Sequence, residues 1–111
     1  MSTLTVKENN YAVITAICRD KNGVIQNVTG FQFEFKVVSA NGTVVLDKNS
    51  SDITQINLVD PVNGKVEVYI QPSDTHTKSG EHQYEFKSID LDSHPETLQG
   101  PAKFVVTKTI I

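Results

Sequence analysis

The sequence contains no tryptophan and a single cysteine, Cys18, among 111 residues. One cysteine cannot close an internal disulfide. Cys18 also lies in the apolar run YAVITAIC, so it reads as a small buried hydrophobe. A chain without disulfides suits folding in a reducing cytosol. Blocks of Lys or Arg are missing as well. The net charge is −3 with both signs interspersed, which leaves no footprint for phosphate and argues against nucleic acid as a partner. No apolar run approaches the roughly 20 residues of a membrane-spanning helix, so no membrane partner is expected. The opening MSTLTVKENN has neither the basic start nor the apolar centre of a signal peptide. Asn-x-Ser/Thr triplets at Asn27, Asn41 and Asn49 are expected to be chance in a chain rich in these residues.

What is present is one modest core. Hydrophobic residues make up 38% of the chain, five Phe and three Tyr among them, and the length fits a single domain, 1–111. A chain of this size buries roughly two-thirds of its unfolded surface, so it folds without a metal or staple.

The dominant period is two. In FQFEFKVV, Phe31, Phe33, Phe35 and Val37 share one parity and Gln32, Glu34 and Lys36 the other, which predicts a half-buried strand. KVEVYIQ sets Val66, Val68 and Ile70 against Lys65, Glu67 and Tyr69. HQYEFKSI sets His82, Tyr84 and Phe86 against Gln83, Glu85 and Lys87. YAVITAIC is apolar on both parities, which predicts a central strand covered on both sides or a strand meeting a partner. DKNG, SANG and DPVNG end in Gly23, Gly42 and Gly64, and supply the positive φ of tight turns. The expected strands lie near 3–7, 10–19, 24–26, 30–38, 43–48, 53–58, 65–71, 81–90 and 97–109, with 24–26 part of a neighbour and residues 1–9 an N-terminal arm or edge strand. One short helical turn is expected after Pro72, capped by Ser73 or Asp74. Many short strands with frequent turns predict an all-β fold: an immunoglobulin-like antiparallel β-sandwich of about seven to eight strands, with a small closed barrel as the alternative.

These same residues carry a resemblance. DKNGVIQNVTGFQFEFKVVSANGTVVLDK, from Asp20 to Gly23 through Thr29, Gly30, Phe31 to Val37, Asn41, Gly42, Val45 and Leu46, resembles the opening of an immunoglobulin-like module of tailed-phage virion proteins. The second half is similar to the same module at Gly64, Val66, Val68, Ile70, Asp74, Thr75, Gly80, Tyr84, Phe86, Asp90, Thr97, Leu98, Gly100, Phe104 and Val106. The family is the N-terminal domain of baseplate upper proteins. The likeness spans about residues 10–107 and rests on turn glycines and alternating apolar residues. It departs at His82, where the family tends to have Tyr, and at the end of the chain, where such modules continue. The resemblance implies a free-standing structural module of a virion, made in the host cytoplasm and present in many copies or as a homo-oligomer. Its partners would be other phage structural proteins in a baseplate, tail, neck or head-decoration position. The alternative is a carbohydrate-binding or adhesive immunoglobulin-like module, disfavoured by the absence of Trp.

Several groups of residues stand as candidates. Asp74, Thr75 and Gly80 are expected to form a corner between sheets, with Tyr84 or His82 hooking back onto upstream backbone as the corner tyrosine of immunoglobulin sandwiches does. A Ser or Thr nucleophile with His76 as base would also need an orienting group and an oxyanion hole, for which no motif exists, so no enzyme is expected. His76, His82 and His94 have gaps unlike zinc-ligand spacing. Asp90, Asp92 and Glu96 lack the glycine-anchored pattern of a calcium loop. Neither metal nor cofactor is therefore expected, and paired carboxylates for glycoside hydrolysis have little room for a cleft. Tyr11, Tyr69, Ile110 and Ile111 are the candidate protein interface, the tyrosines because they sit opposite the inward parity and the isoleucines because they are apolar at the end of the chain.

Overall fold

The computed structural model describes residues 3–108. Eight strands follow one another: β1 (Leu4–Lys7), β2 (Ala12–Ile17), β3 (Gln32–Val38), β4 (Val44–Asn49), β5 (Ile56–Asp60), β6 (Lys65–Ile70), β7 (Gly80–Ile89) and β8 (Pro95–Thr107). A 3₁₀ turn, Pro61–Asn63, joins β5 to β6, and a one-turn helix, α1 (Pro72–Thr75), joins β6 to β7. One sheet has the order β1-β8-β7-β3-β4 and the other β2-β6-β5. Labelling β2 to β8 as strands B to G, with β4 as C′, turns these into G-F-C-C′ and B-E-D, the strand order of an immunoglobulin-type sandwich.

The alternating side chains fill the space between the layers. Phe33, Phe35 and Val37 of β3 point inward with Tyr84 and Phe86 of β7 and Phe104 and Val106 of β8. Val66, Val68 and Ile70 of β6 and Ile56 of β5 close the core from the other sheet. Phe35 sits at the centre, 5.5 Å from the ring of Tyr84 and edge-on to Phe104 at 6.1 Å. Each such ring removed from water stabilises the fold by about 2–3 kcal/mol. Val28, in the crossing from β2 to β3, plugs the same core at 1% exposure.

Turn chemistry sets the hairpins. Asp20 Oδ1 accepts the N–H groups of Asn22 and Val24, and Asn41 Oδ1 accepts that of Thr43, so each polar side chain closes its own loop. Gly64 has φ +69, and a Cβ there would lie 2.8 Å from the carbonyl oxygens of both Cys18 and Gln26. Only glycine lets those strands approach.

Two expectations are corrected. The sandwich is not wholly antiparallel, because β1 pairs parallel with β8, Leu4 opposite Phe104 through Lys7 opposite Thr107. No hairpin joins these two strands, so nothing local dictates their relative direction. The apolar run YAVITAIC is not a covered central strand either. It forms β2, paired to β6 alone at the border of the three-stranded sheet, with Val13 and Ile17 43% and 45% exposed. The segment near 24–26 contributes a single bridge, Arg19 to Ile25.

Candidate functional site

The stretch from Gln71 to Gly80 carries the chain from one sheet to the other, and the structure makes it a clasp. Asp74 Oδ2 accepts the Gln71 N–H at 2.7 Å, so Gln71 opens the helical turn and Asp74 closes it from its third position. The cap expected at Ser73 or Asp74 thus sits one turn earlier, because the carboxylate reaches back across α1. The same carboxylate pairs with Lys48 Nζ of β4 at 2.6 Å, the ammonium side chain 8% exposed and the carboxylate 19%. Thr75 is fully buried, and its Oγ1 accepts the N–H of Asn9 at 3.0 Å. His76 Nδ1 lies 2.8 Å from Asn9 Oδ1. Asp74, Thr75 and His76 therefore bind the β1–β2 turn and β4 to one corner. This geometry does not assemble a nucleophile with a base, since the hydroxyl and the imidazole both serve Asn9.

His82 hooks the start of β7 back onto upstream backbone. His82 Nε2 donates to the Lys78 carbonyl at 2.7 Å; a carbonyl can only accept, so the proton sits on Nε2. Among the described residues His82 Nδ1 is buried without a hydrogen-bond partner. Tyr84 lies two residues further along β7, on the inward parity, and stacks in the core, where burial pushes its phenol above the ordinary range. Gly80 opens β7 at φ +127.

The loop between β7 and β8 brings donor atoms of Asp90, Asp92 and His94 within 4.8 Å of one another. Asp90 Oδ1 already accepts the N–H groups of Asp92 and His94, both at 2.9 Å. The His94 N–H leads the forces that hold this carboxyl below its usual range. The arrangement is that of a self-closed turn.

The two outer faces differ. On the five-stranded sheet a shallow depression of about 230 Å³ is lined by the charged and polar Glu34, Lys36, Gln83, Glu85 and Lys87 together with Val38, Tyr84 and Pro101. On the three-stranded sheet Tyr11 is 55% exposed and Val13 stands opposite Tyr69 in the ladder. The Tyr69 hydroxyl donates to Glu67 Oε1 at 3.0 Å. Asn57 draws the Tyr69 phenol down, but desolvation and the Glu67 carboxylate outweigh it and leave it raised. With Ile17 these residues form an apolar and tyrosine-bearing stripe. Ile110 and Ile111 lie outside the described residues. Sequence reasoning missed Lys48, Asn9 and Gln71, which complete the corner; a lysine on the inward parity of β4 was the one available signal.

Fold and surfaces together define a class: an immunoglobulin-type β-sandwich with a clasped corner and one bare apolar edge. No protein-family model matches the chain, and no curated protein matches its sequence.

Proposed function

We propose that the protein is a non-enzymatic structural component of a tailed-phage virion, acting by contact with neighbouring subunits. The observation that carries the contact role is the β2 border, where an uncharged apolar strand with Val13 and Ile17 exposed, and Tyr11 exposed just before it, has no neighbour on one side among the described residues. Natural sandwiches blunt such edges with charge, proline or a bulge, and an edge left flat and apolar favours pairing. The virion setting rests on the resemblance of residues 10–107 to the immunoglobulin-like module of baseplate upper proteins. Its motifs, the turn glycines Gly23, Gly42 and Gly64 and the inward Phe and Val residues, are the elements that build the sandwich here. The mechanism is burial of apolar and tyrosine surface between subunits, with no bond made or broken.

Two measurements test this. Antibody labelling and mass spectrometry of purified phage particles should find the chain in stoichiometric, symmetry-related copies, and genes for capsid, tail or portal proteins should flank its own. A chain absent from particles that instead binds a glycan array as a monomer would move the reading to an adhesive module.

A further inference from the structure

We infer that the outer edge of β2 is a homodimerisation edge, at which two copies pair antiparallel about a two-fold axis at Thr15. This rests on the contact role proposed above and names its partner, a second copy of the same chain. The backbone supplies the first argument. Cys18 donates its N–H to the Gly64 carbonyl at 2.8 Å, toward β6. Ladder hydrogen bonds alternate along an antiparallel strand, so the even-numbered residues of β2 bond to β6. The N–H and C=O groups of Val13, Thr15 and Ile17 consequently point the other way, where the sheet has no strand among the described residues. In an immunoglobulin sandwich of constant type, strand A occupies that place. Here β1, the first strand of the chain, lies in the opposite sheet.

The layer beneath supplies the second. Under this edge a cleft of about 250 Å³ opens between the sheets, lined by Leu4, Ile14, Ala16, Phe35, Tyr84 and Phe86. Its lining is apolar, so an added strand would cover surface that water now reaches.

Charge supplies the third, and it selects the occupant. Of the four sheet borders, β1 carries Lys7, β4 carries Asp47 and Lys48, and β5 carries Asp60, whereas β2 carries no charge at all. A two-fold edge pairing sets each strand against its own twin, so a charge near the axis meets a like charge and destabilises the pair. With no charge along its length, β2 alone avoids this at every register. Parity then fixes the register, since facing residues must share a side of the sheet. With the axis at Thr15, Val13 of one copy faces Ile17 of the other and Ile14 faces Ala16. All three outward-pointing residues of each copy then exchange hydrogen bonds. The product is a continuous six-stranded sheet whose outer face joins Val13, Ile17 and Tyr69 of both copies.

The test uses the whole chain. Sedimentation velocity across micromolar to millimolar concentration should show the mass rise from 12.3 kDa to twice that. Amide exchange should slow by about tenfold or more at Val13, Thr15 and Ile17 as dimer forms. Thr15→Glu and Thr15→Lys, at an exposed outward position, should each stay monomeric with an unchanged circular dichroism spectrum, and their equimolar mixture should dimerise. A monomer at every concentration overturns the proposal. So does a dimer whose three amides exchange as fast as in the monomer, which would be a face-to-face pair, and so does a Thr15→Glu protein that still dimerises. The virion reading fails separately: a dimer missing from particles refutes that setting and leaves the edge, while a monomer found in particles refutes the edge and leaves the setting.

Discussion

Removing the Asp74 carboxylate should be among the most damaging changes outside the aromatic core. Asp74→Ala leaves the Lys48 ammonium, 8% exposed, without its counter-ion at 2.6 Å, and strips the Gln71 N–H of its acceptor at 2.7 Å. Breaking a buried pair from one side costs about 3–5 kcal/mol. Asp74 keeps some water contact at 19% exposure, which trims the figure to about 2–4 kcal/mol with the lost cap included. For a chain of this length that lowers the thermal midpoint by roughly 8–15 °C. Lys48→Met keeps the buried stem and removes the charge, so it should cost less, about 1–2 kcal/mol, because Asp74 retains the Gln71 N–H. The double variant should then be milder than the sum of the two by about 1–2 kcal/mol. Urea unfolding followed by circular dichroism gives all four corners of the cycle, and repeating it in about 1 M salt should change the coupling little, since a buried pair is weakly screened. Costs that add to within about 0.5 kcal/mol, or an Asp74→Ala protein as stable as the parent, would refute the clasp.

Four further outcomes are expected. Phe35→Ala should destabilise by about 3–5 kcal/mol in urea melts, since it empties the centre of the ring cluster. Gly64→Ala should cost clearly more than Gly42→Ala: both have positive φ, but only at Gly64 would a Cβ strike backbone, so equal costs by the same melts would contradict the packing. Burial pushes the Cys18 thiol up to about 11, so at pH 8 a thiol reagent should react only after unfolding; fast labelling of the folded chain would count against its placement. The Asp90 carboxyl titrates below its usual 3.8 in the folded chain, so its contribution is complete above that value and is lost as pH falls through the lower folded one; an NMR titration of the His94 amide with a midpoint at or above 3.8 would disprove the loop geometry.

The sandwich was legible because its strands obey a period of two. Phe33, Phe35 and Val37, and likewise Val66, Val68 and Ile70, declare their inward face without outside help, and all are buried. The same parity places Tyr84 with Phe86 in the core and His82 on the same side nearer the start of β7. Parity says nothing about which strands become neighbours. The parallel union of β1 with β8 joins residues a hundred positions apart, and the border position of β2 follows from β1 lying in the other sheet. Nor could local pattern show that Asp74 would meet Lys48, because that contact exists only once both layers are assembled. The bare edge was half visible: a run apolar on both parities signals either two covers or one missing partner, and only the fold distinguishes them.

The parallel union of β1 and β8 also governs how the molecule bears load. Tension applied at Leu4 and at Thr107 draws the two strands along their own axes in opposite directions, so the four residue pairs between them are stressed together and must yield as a unit. A hairpin pulled open at one end unzips bond by bond at far lower force. The sandwich thus transmits a pull from one end of β1 to the far end of β8 across four residue pairs loaded in parallel.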